Sequence, residues 1–334
     1  MSVCAYHFGM KRRDAVEEAL NALSELRHNP GSEPLARPLR SFLENKSNLV
    51  IAKAAKTAGE LRVTDLTADL AAAFHRLMAN PAKMDRGCAA TTAIVGALYA
   101  MDYESPDVYL KGVRHIQMEG SFGPPVDAAA ELRSNSAMGL VRTGHADALF
   151  EVVRLLVDKE ARVRMGAARA LGTVGGETAE LLLYLKAMAG DREPEVLAEC
   201  FSGLLASGGE RSLRFVASHL DHADEAMVEA AALGLGASRL PHAIDALKEK
   251  WSRTVLRPIR KTLLVALATA RQDSALEFLL SLVAGAEEGI ALDAIAAVRM
   301  YGNGDRVRQL IEAAVQRRGE RGLSDAFHAE NAGP

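Results

Sequence analysis

Small and apolar residues recur at spacings of three and four along Val163–Gly172, VRMGAARALG, which lays them on one stripe of a helix. The pattern returns in MVEAAALGLG, Met227–Gly236, where Ala231, Ala232 and Leu235 stand in the places of Ala167, Ala168 and Leu171. Sliding it along the chain predicts helices anchored at Val50, Ala90, Leu132, Val163, Val196, Met227, Ile259 and Ile290, at steps of 40, 42, 31, 33, 31, 32 and 31 residues. A second apolar helical segment precedes each anchor, from PLARPLRSFLEN before the first to SALEFLLSLVAG before the last. Each repeat is therefore predicted to be a helical hairpin, and about eight in series predict an all-α solenoid with no sheet. Ala, Gly and Ser in the middle of each second helix let helix axes approach closely, so neighbouring hairpins stack with continuous burial.

Residues 1–31 hold one amphipathic helix, with Val16, Ala19, Leu20, Leu23 and Leu26 on one side, followed by the break NPGSEP. That helix is expected to cap the first hairpin, since a terminal repeat exposes a face that must be covered. The solenoid is placed at residues 32–318, and the polar, Gly-rich tail 319–334 is expected to be disordered. Asp65, Ser212 and Asp273 are the expected N-caps; Gly190, Gly285 and the Gly175–Gly176 pair are the expected helix stops.

VRMGAARALGTVGG, preceded by Asp158, resembles the second helix of HEAT repeats of the short bacterial kind, also found in phycobilin lyases. The resemblance runs over most of the chain and implies a right-handed α-solenoid whose second helices line a concave face. The family's Asp-to-Arg ladder is read as complete only at Asp158 and Arg164, because Leu197 and Val228 occupy the next Arg positions.

Charge and chemistry narrow the function. With 40 basic against 43 acidic side chains, a net charge of −3 gives no global field toward nucleic acid or anionic lipid. The three cysteines, Cys4, Cys88 and Cys200, lack C-x-x-C spacing, which fits a reducing compartment. The N-terminus has no secretory h-region and no apolar run is long enough to span a bilayer, so the expectation is a cytoplasmic protein with no membrane partner. GTVGGE and YGNGD follow no strand and read as helix-ending turns, and neither G-x-S-x-G nor H-E-x-x-H occurs. None of the nine histidines precedes a Glu, which excludes the His-Glu ligand dipeptides of HEAT-like iron hydroxylases. HEAT-like DNA glycosylases imply a cationic groove with several aromatics, whereas Trp251 stands alone. His219, Asp221, His222 and Asp224 read as turn and cap residues in preference to metal ligands. No catalytic residue, metal or cofactor is assigned.

Two candidate surfaces remain. Tyr99–Val126 concentrates three of the six tyrosines and ends in a Gly-Ser-Phe-Gly-Pro-Pro loop, residue types enriched in interface cores. The first reading is accordingly a non-enzymatic scaffold that binds a protein or peptide through its concave face and the edge loop Glu119–Pro125. Its contact residues are Tyr109, Arg114, Phe122, Pro124 and Pro125. The second reading is a nucleic-acid or phosphate binder using Arg253, Arg257, Arg260 and Lys261. It ranks lower because Glu193, Glu195 and Glu199, then Asp224, Glu225 and Glu229, then Glu287, Glu288 and Asp293 interrupt the basic residues, and pairing between repeats accounts for the arginines. A third, an accessory protein for chromophore attachment, rests on family analogy alone.

Overall fold

The computed structural model describes residues 3–28, 35–120, 123–207, 209–301, 304–320 and 322–323. The chain divides into two compact units, 1–170 and 171–334.

The first unit opens with α1 (Val3–His28), which packs on the second helix of the first hairpin. That hairpin is α2 (Ala36–Leu43) and α3 (Asn48–Glu60). The second runs through α4 (Thr67–Met78), the single turn α5 (Pro81–Met84) and α6 (Ala89–Ala100). In the third, α7 (Pro106–Val113) and α8 (Ala130–Arg142) are separated by a ribbon, β1 (Met118–Glu119) and β2 (Val126–Asp127). The fourth is α9 (Ala148–Leu155) and α10 (Ala161–Val174), within which the unit boundary falls. In the second unit follow α11 (Gly176–Ala189) with α12 (Pro194–Ser207), α13 (Gly209–Ser218) with α14 (Glu225–Ser238), α15 (Pro241–Arg253) with α16 (Arg257–Ala270), α17 (Asp273–Gly285) with α18 (Glu288–Tyr301), and a last helix α19 (Asp305–Arg318).

All eight anchors fall on second helices, and these stack on one another: α3 on α6 and α6 on α8 in the first unit, α12 on α14, α16 and α18 in succession in the second. Small residues mark where the stacks are tightest. A Cβ on Gly59 would stand 2.8 Å from the Ala97 Cα, one on Gly166 2.8 Å from the Ser134 Cα, and one on Gly236 2.8 Å from the Ala266 Cα, distances real Cβ atoms essentially never show. Ala168 and Ala231 are fully buried in the same stacks.

The structure differs from the sequence reading in several places. The fold is all-α except for the short antiparallel ribbon, in which Met118 pairs Asp127 and Glu119 pairs Val126. The two long steps, 40 and 42 residues, contain the turn α5 with the following 3-10 turn and this ribbon. None of the three expected N-caps occupies a cap: Asp65 lies within a 3-10 turn, Asp273 is the first residue of α17, and Ser212 lies inside α13, buried, with its hydroxyl donating to Glu180 at 2.8 Å. Beyond Arg318, Leu323 is fully buried; residues 324–334 lie outside those described. Gly175 follows the end of α10 and Gly190 the end of α11, at φ of 64° and 74°, a conformation that costs glycine little, while Gly176, at φ 80°, opens α11.

Candidate partner-docking site

The excursion between α7 and α8 is mounted on a buried polar network. Asp85, fully buried, accepts from the Ala90 and Thr91 N–H groups at 2.9 and 2.8 Å and from the Thr91 hydroxyl at 2.7 Å, which fixes the N-terminus of α6. Its carbonyl accepts from Gln117 Nε2 at 3.0 Å, tying the start of the ribbon to that helix. Glu119 Oε1 accepts from the Gly87 N–H at 2.7 Å and from Gln117 Nε2 at 2.6 Å, and these two bonds hold its carboxyl below the usual range. On the second strand, Asp127 accepts from the N–H groups of Gln117 and Ala129 at 3.1 and 3.0 Å.

Arg133 joins this mount to the next hairpin. Its side chain is 3% exposed, pairs with Asp127 at 2.7 Å, meets Asp158 bidentately at 3.1 Å and donates to the His115 carbonyl at 2.9 Å. Burial pushes the Asp127 carboxyl up, but hydrogen bonds from Ala129, Gln117 and Arg133 outweigh it and hold the group below its ordinary value. Arg164 in turn donates to the Asp158 carbonyl at 2.9 Å. The Asp-to-Arg ladder, read from sequence at Asp158 and Arg164 alone, therefore includes Asp127 and Arg133 as well.

On this rigid base the ribbon presents apolar side chains to solvent. Ile116 is 63% exposed, Met118 58% and Val126 56%, while the intervening Gln117 is buried, the alternation expected of an extended strand. Pro124 and Pro125 are exposed beside them. Sequence reasoning missed all three apolar residues. Their signal was present, since Ile-x-Met has strand periodicity, but it is two residues long and sits between helices.

Two of the expected contact residues are corrected or outside the description. Tyr109 is fully buried and belongs to the core: its ring fills the space that Gly139 leaves by lacking a Cβ, and its hydroxyl donates to the Tyr103 carbonyl at 3.3 Å. Burial raises its pKa, so the phenol stays neutral. Phe122 lies outside the described residues. Arg114 is on the surface near the ribbon, paired at 2.6 Å with the buried Glu151, whose carboxyl this bond holds low.

Residues 126–184, from the second strand of the ribbon through most of α11, match the family model described as HEAT repeats. Over this stretch the chain is similar to HEAT repeats. No curated protein matches the sequence. Solved structures that align with the chain include the complex of CpcE and CpcF of phycocyanin lyase from Nostoc sp. PCC7120 (17% identity, TM-score 0.39, covering 86% of this chain and 97% of that one). An engineered protein aligns at 16% identity and TM-score 0.36, covering 95% and 90%. Human deoxyhypusine hydroxylase in complex with glycerol aligns at 16% and 0.27, covering 89% and 98%.

The basic cluster is distributed over ion pairs within and between neighbouring hairpins. Arg253 reaches Asp221 at 3.3 Å and Glu249 at 3.7 Å; Arg257 and Lys261 share Asp293 at 3.3 and 3.2 Å. Arg260 lies over the Trp251 ring, 4.7 Å from its centroid, and donates to the Thr254 carbonyl at 2.7 Å. Trp251, Val255, Arg257, Arg260, Ile290 and Asp293 line a recess of about 230 Å³, smaller than the ~300–1,000 Å³ of drug-sized sites. In the first unit, Gly59, Thr92, Ala93, Gly96 and Ala97 form a shallow groove of about 330 Å³ along the second helices, with Lys56 at its edge.

The remaining candidates for chemistry resolve structurally. Asp224 caps α14 by accepting from the Ala226 N–H at 3.0 Å, and Asp221 accepts from Lys250 at 3.0 Å. Among the described residues no group of three His, Cys, Asp or Glu is placed to hold a metal. Burial pushes the Cys88 and Cys200 thiols up to about 12, away from the thiolate that nucleophilic chemistry needs. Among the described residues no helix is long and apolar enough to cross a membrane.

Proposed function

We infer that the chain is a non-enzymatic interaction scaffold that docks a partner protein through the edge ribbon of its first unit. HEAT hairpins supply stacked, extended surfaces, and such repeat arrays bind through them. The observation that carries the reading is the pairing of opposites at the ribbon: Ile116, Met118 and Val126 exposed on a segment held by a buried network of Asp85, Gln117, Asp127 and Arg133. A loop that only connected two helices would need neither the anchoring nor the exposed apolar residues, and pre-ordering such a segment lowers the entropic cost of binding. The basic cluster supports the same ranking, because its charges are met by Asp221, Glu249 and Asp293 before any phosphate arrives.

The test places a photo-crosslinking amino acid at positions 116, 118 and 126 in turn, with position 65 on an exposed helix start as the control, in cells that naturally make the protein. A discrete protein adduct at the ribbon positions and none at 65 is expected. Absence of an adduct at all three ribbon positions overturns the reading.

A further inference from the structure

We propose that β1 is an acceptor edge for strand addition: an extended apolar segment of the partner pairs its backbone with Ile116 and Met118. The proposal rests on the docking reading above and names the partner's conformation and chemistry.

The ribbon's register decides which backbone groups of β1 face outward. Met118 stands opposite Asp127 and Glu119 opposite Val126, and the Gln117 carbonyl accepts from the Ala128 N–H at 2.9 Å. In an antiparallel pair, residues alternate between those that exchange hydrogen bonds with the neighbouring strand and those whose backbone groups point away from it. Gln117 and Glu119 belong to the first kind, so the N–H and C=O groups of Ile116 and Met118 point outward. Neither residue's backbone groups meet a protein partner among the described residues. The open edge coincides with the exposed side chains of the same two residues, 63% and 58% exposed.

Folded proteins commonly protect such an edge with a Pro, a Lys, a bulge or a covering element. From His115 to Gly120 this segment has neither Pro nor Lys. It is tethered instead by Glu119 on the Gly87 N–H and by Gln117 on the Asp85 carbonyl. An added strand would draw affinity from main-chain hydrogen bonds and specificity from alternate side chains against Ile116 and Met118. Charge adds a second requirement. Arg86, next to the Gly87 that bonds Glu119, is exposed and makes no close ion pair among the described residues; its charge helps hold the Glu119 carboxyl low, but that carboxyl is bonded to Gly87 and Gln117. The fitting partner is therefore an extended segment of alternating apolar residues flanked by acidic ones.

The edge is short. Three residues at about 3.3 Å each span roughly 10 Å, which suits a transient contact better than a permanent one.

The experiment selects binders to the full chain from a displayed library of short random peptides and measures their affinity by fluorescence anisotropy. Met118→Pro removes the outward N–H while leaving the inner ladder intact, and Pro is tolerated at an edge position of this kind. Selected peptides are expected to carry the alternating, acid-flanked pattern, to bind Met118→Pro about tenfold or more weakly at unchanged melting temperature, and to lose binding when alternate peptide amides are N-methylated. N-methylation tests backbone pairing on the wild-type chain, so the proposal stays falsifiable if Met118→Pro fails to fold. Peptides that tolerate both changes, or a selection that yields none sensitive to either, overturn strand addition. Crosslinks at 116 and 126 that persist in Met118→Pro leave the scaffold reading standing and remove only this one. Self-association of the wild type that Met118→Pro abolishes assigns the edge to a second copy of the chain and likewise overturns the proposal.

Discussion

At position 133 one guanidinium meets two carboxylates and a carbonyl with almost no access to water, an arrangement that is costly to break from one side. Replacing Arg133 with Met strands Asp127 and Asp158 as uncompensated charges, and removal of one partner from a buried ion pair typically costs about 3–5 kcal/mol. The pH dependence separates lost pairing from lost packing. Because the folded pKa of Asp127 is depressed, its contribution is present above the unfolded value of about 3.9 and is lost as pH falls through the folded one. Without Arg133 the same carboxylate keeps its bonds from Ala129 and Gln117 but loses part of what holds its pKa low, so acidification removes less stability from the variant than from the wild type. Urea melts of wild type and Arg133→Met at pH 7 and again near pH 3.5 are expected to show the gap in stability shrinking on acidification. An equal gap at both values would mean that Arg133 acts only by filling space.

Among helices, the close stacking turns on which glycines have a neighbour and which do not. On α8 a Cβ added to Gly139 runs into the Tyr109 ring, which is fully buried and has nowhere to go, so Gly139→Ala is expected to cost about 1–3 kcal/mol. On α6 Gly96 faces open space, and Gly96→Ala is expected to add about 0.5–1 kcal/mol, the usual gain of Ala over Gly inside a helix. Opposite signs in thermal melts check the stacking geometry, and two changes of the same sign would contradict it. The contrast also explains what the sequence could and could not convey. The eight second helices were legible because small and apolar residues repeat there with helical period, and stacking requires it. α19 was not singled out, since RVRQLIEAAVQRR lacks the run of small residues that marks a stacked second helix. The ribbon was illegible because two-residue strands leave no periodic trace and its stability comes from side chains distant in sequence, Asp85 and Arg133. Tyr109 was misplaced for a different reason: aromatic residues enrich both cores and interfaces, and only the cavity beside Gly139 decides which.

For the molecule as a whole, the arrangement of charge matters more than its sum. Duplex binding draws its free energy from counterions released as cations meet phosphates, so affinity scales with the number of cations free to do so. Here the most basic stretch of the second unit has Arg253 on Asp221 and Glu249, and both Arg257 and Lys261 on Asp293, while Arg260 is stacked on Trp251. A phosphate must displace those carboxylates first, within a chain whose net charge is −3. Binding to generic duplex or single-stranded DNA is therefore expected to be no tighter than about micromolar at roughly 150 mM salt, the weak end of non-specific association. Asp293→Asn provides the complementary control, since it frees Arg257 and Lys261 together and should strengthen whatever binding exists and steepen its salt dependence. Fluorescence anisotropy across a salt series measures both. Submicromolar binding by the wild type that falls steeply with salt and disappears in Arg257→Glu would reverse the ranking and make this cluster, and not the ribbon, the working surface of the protein.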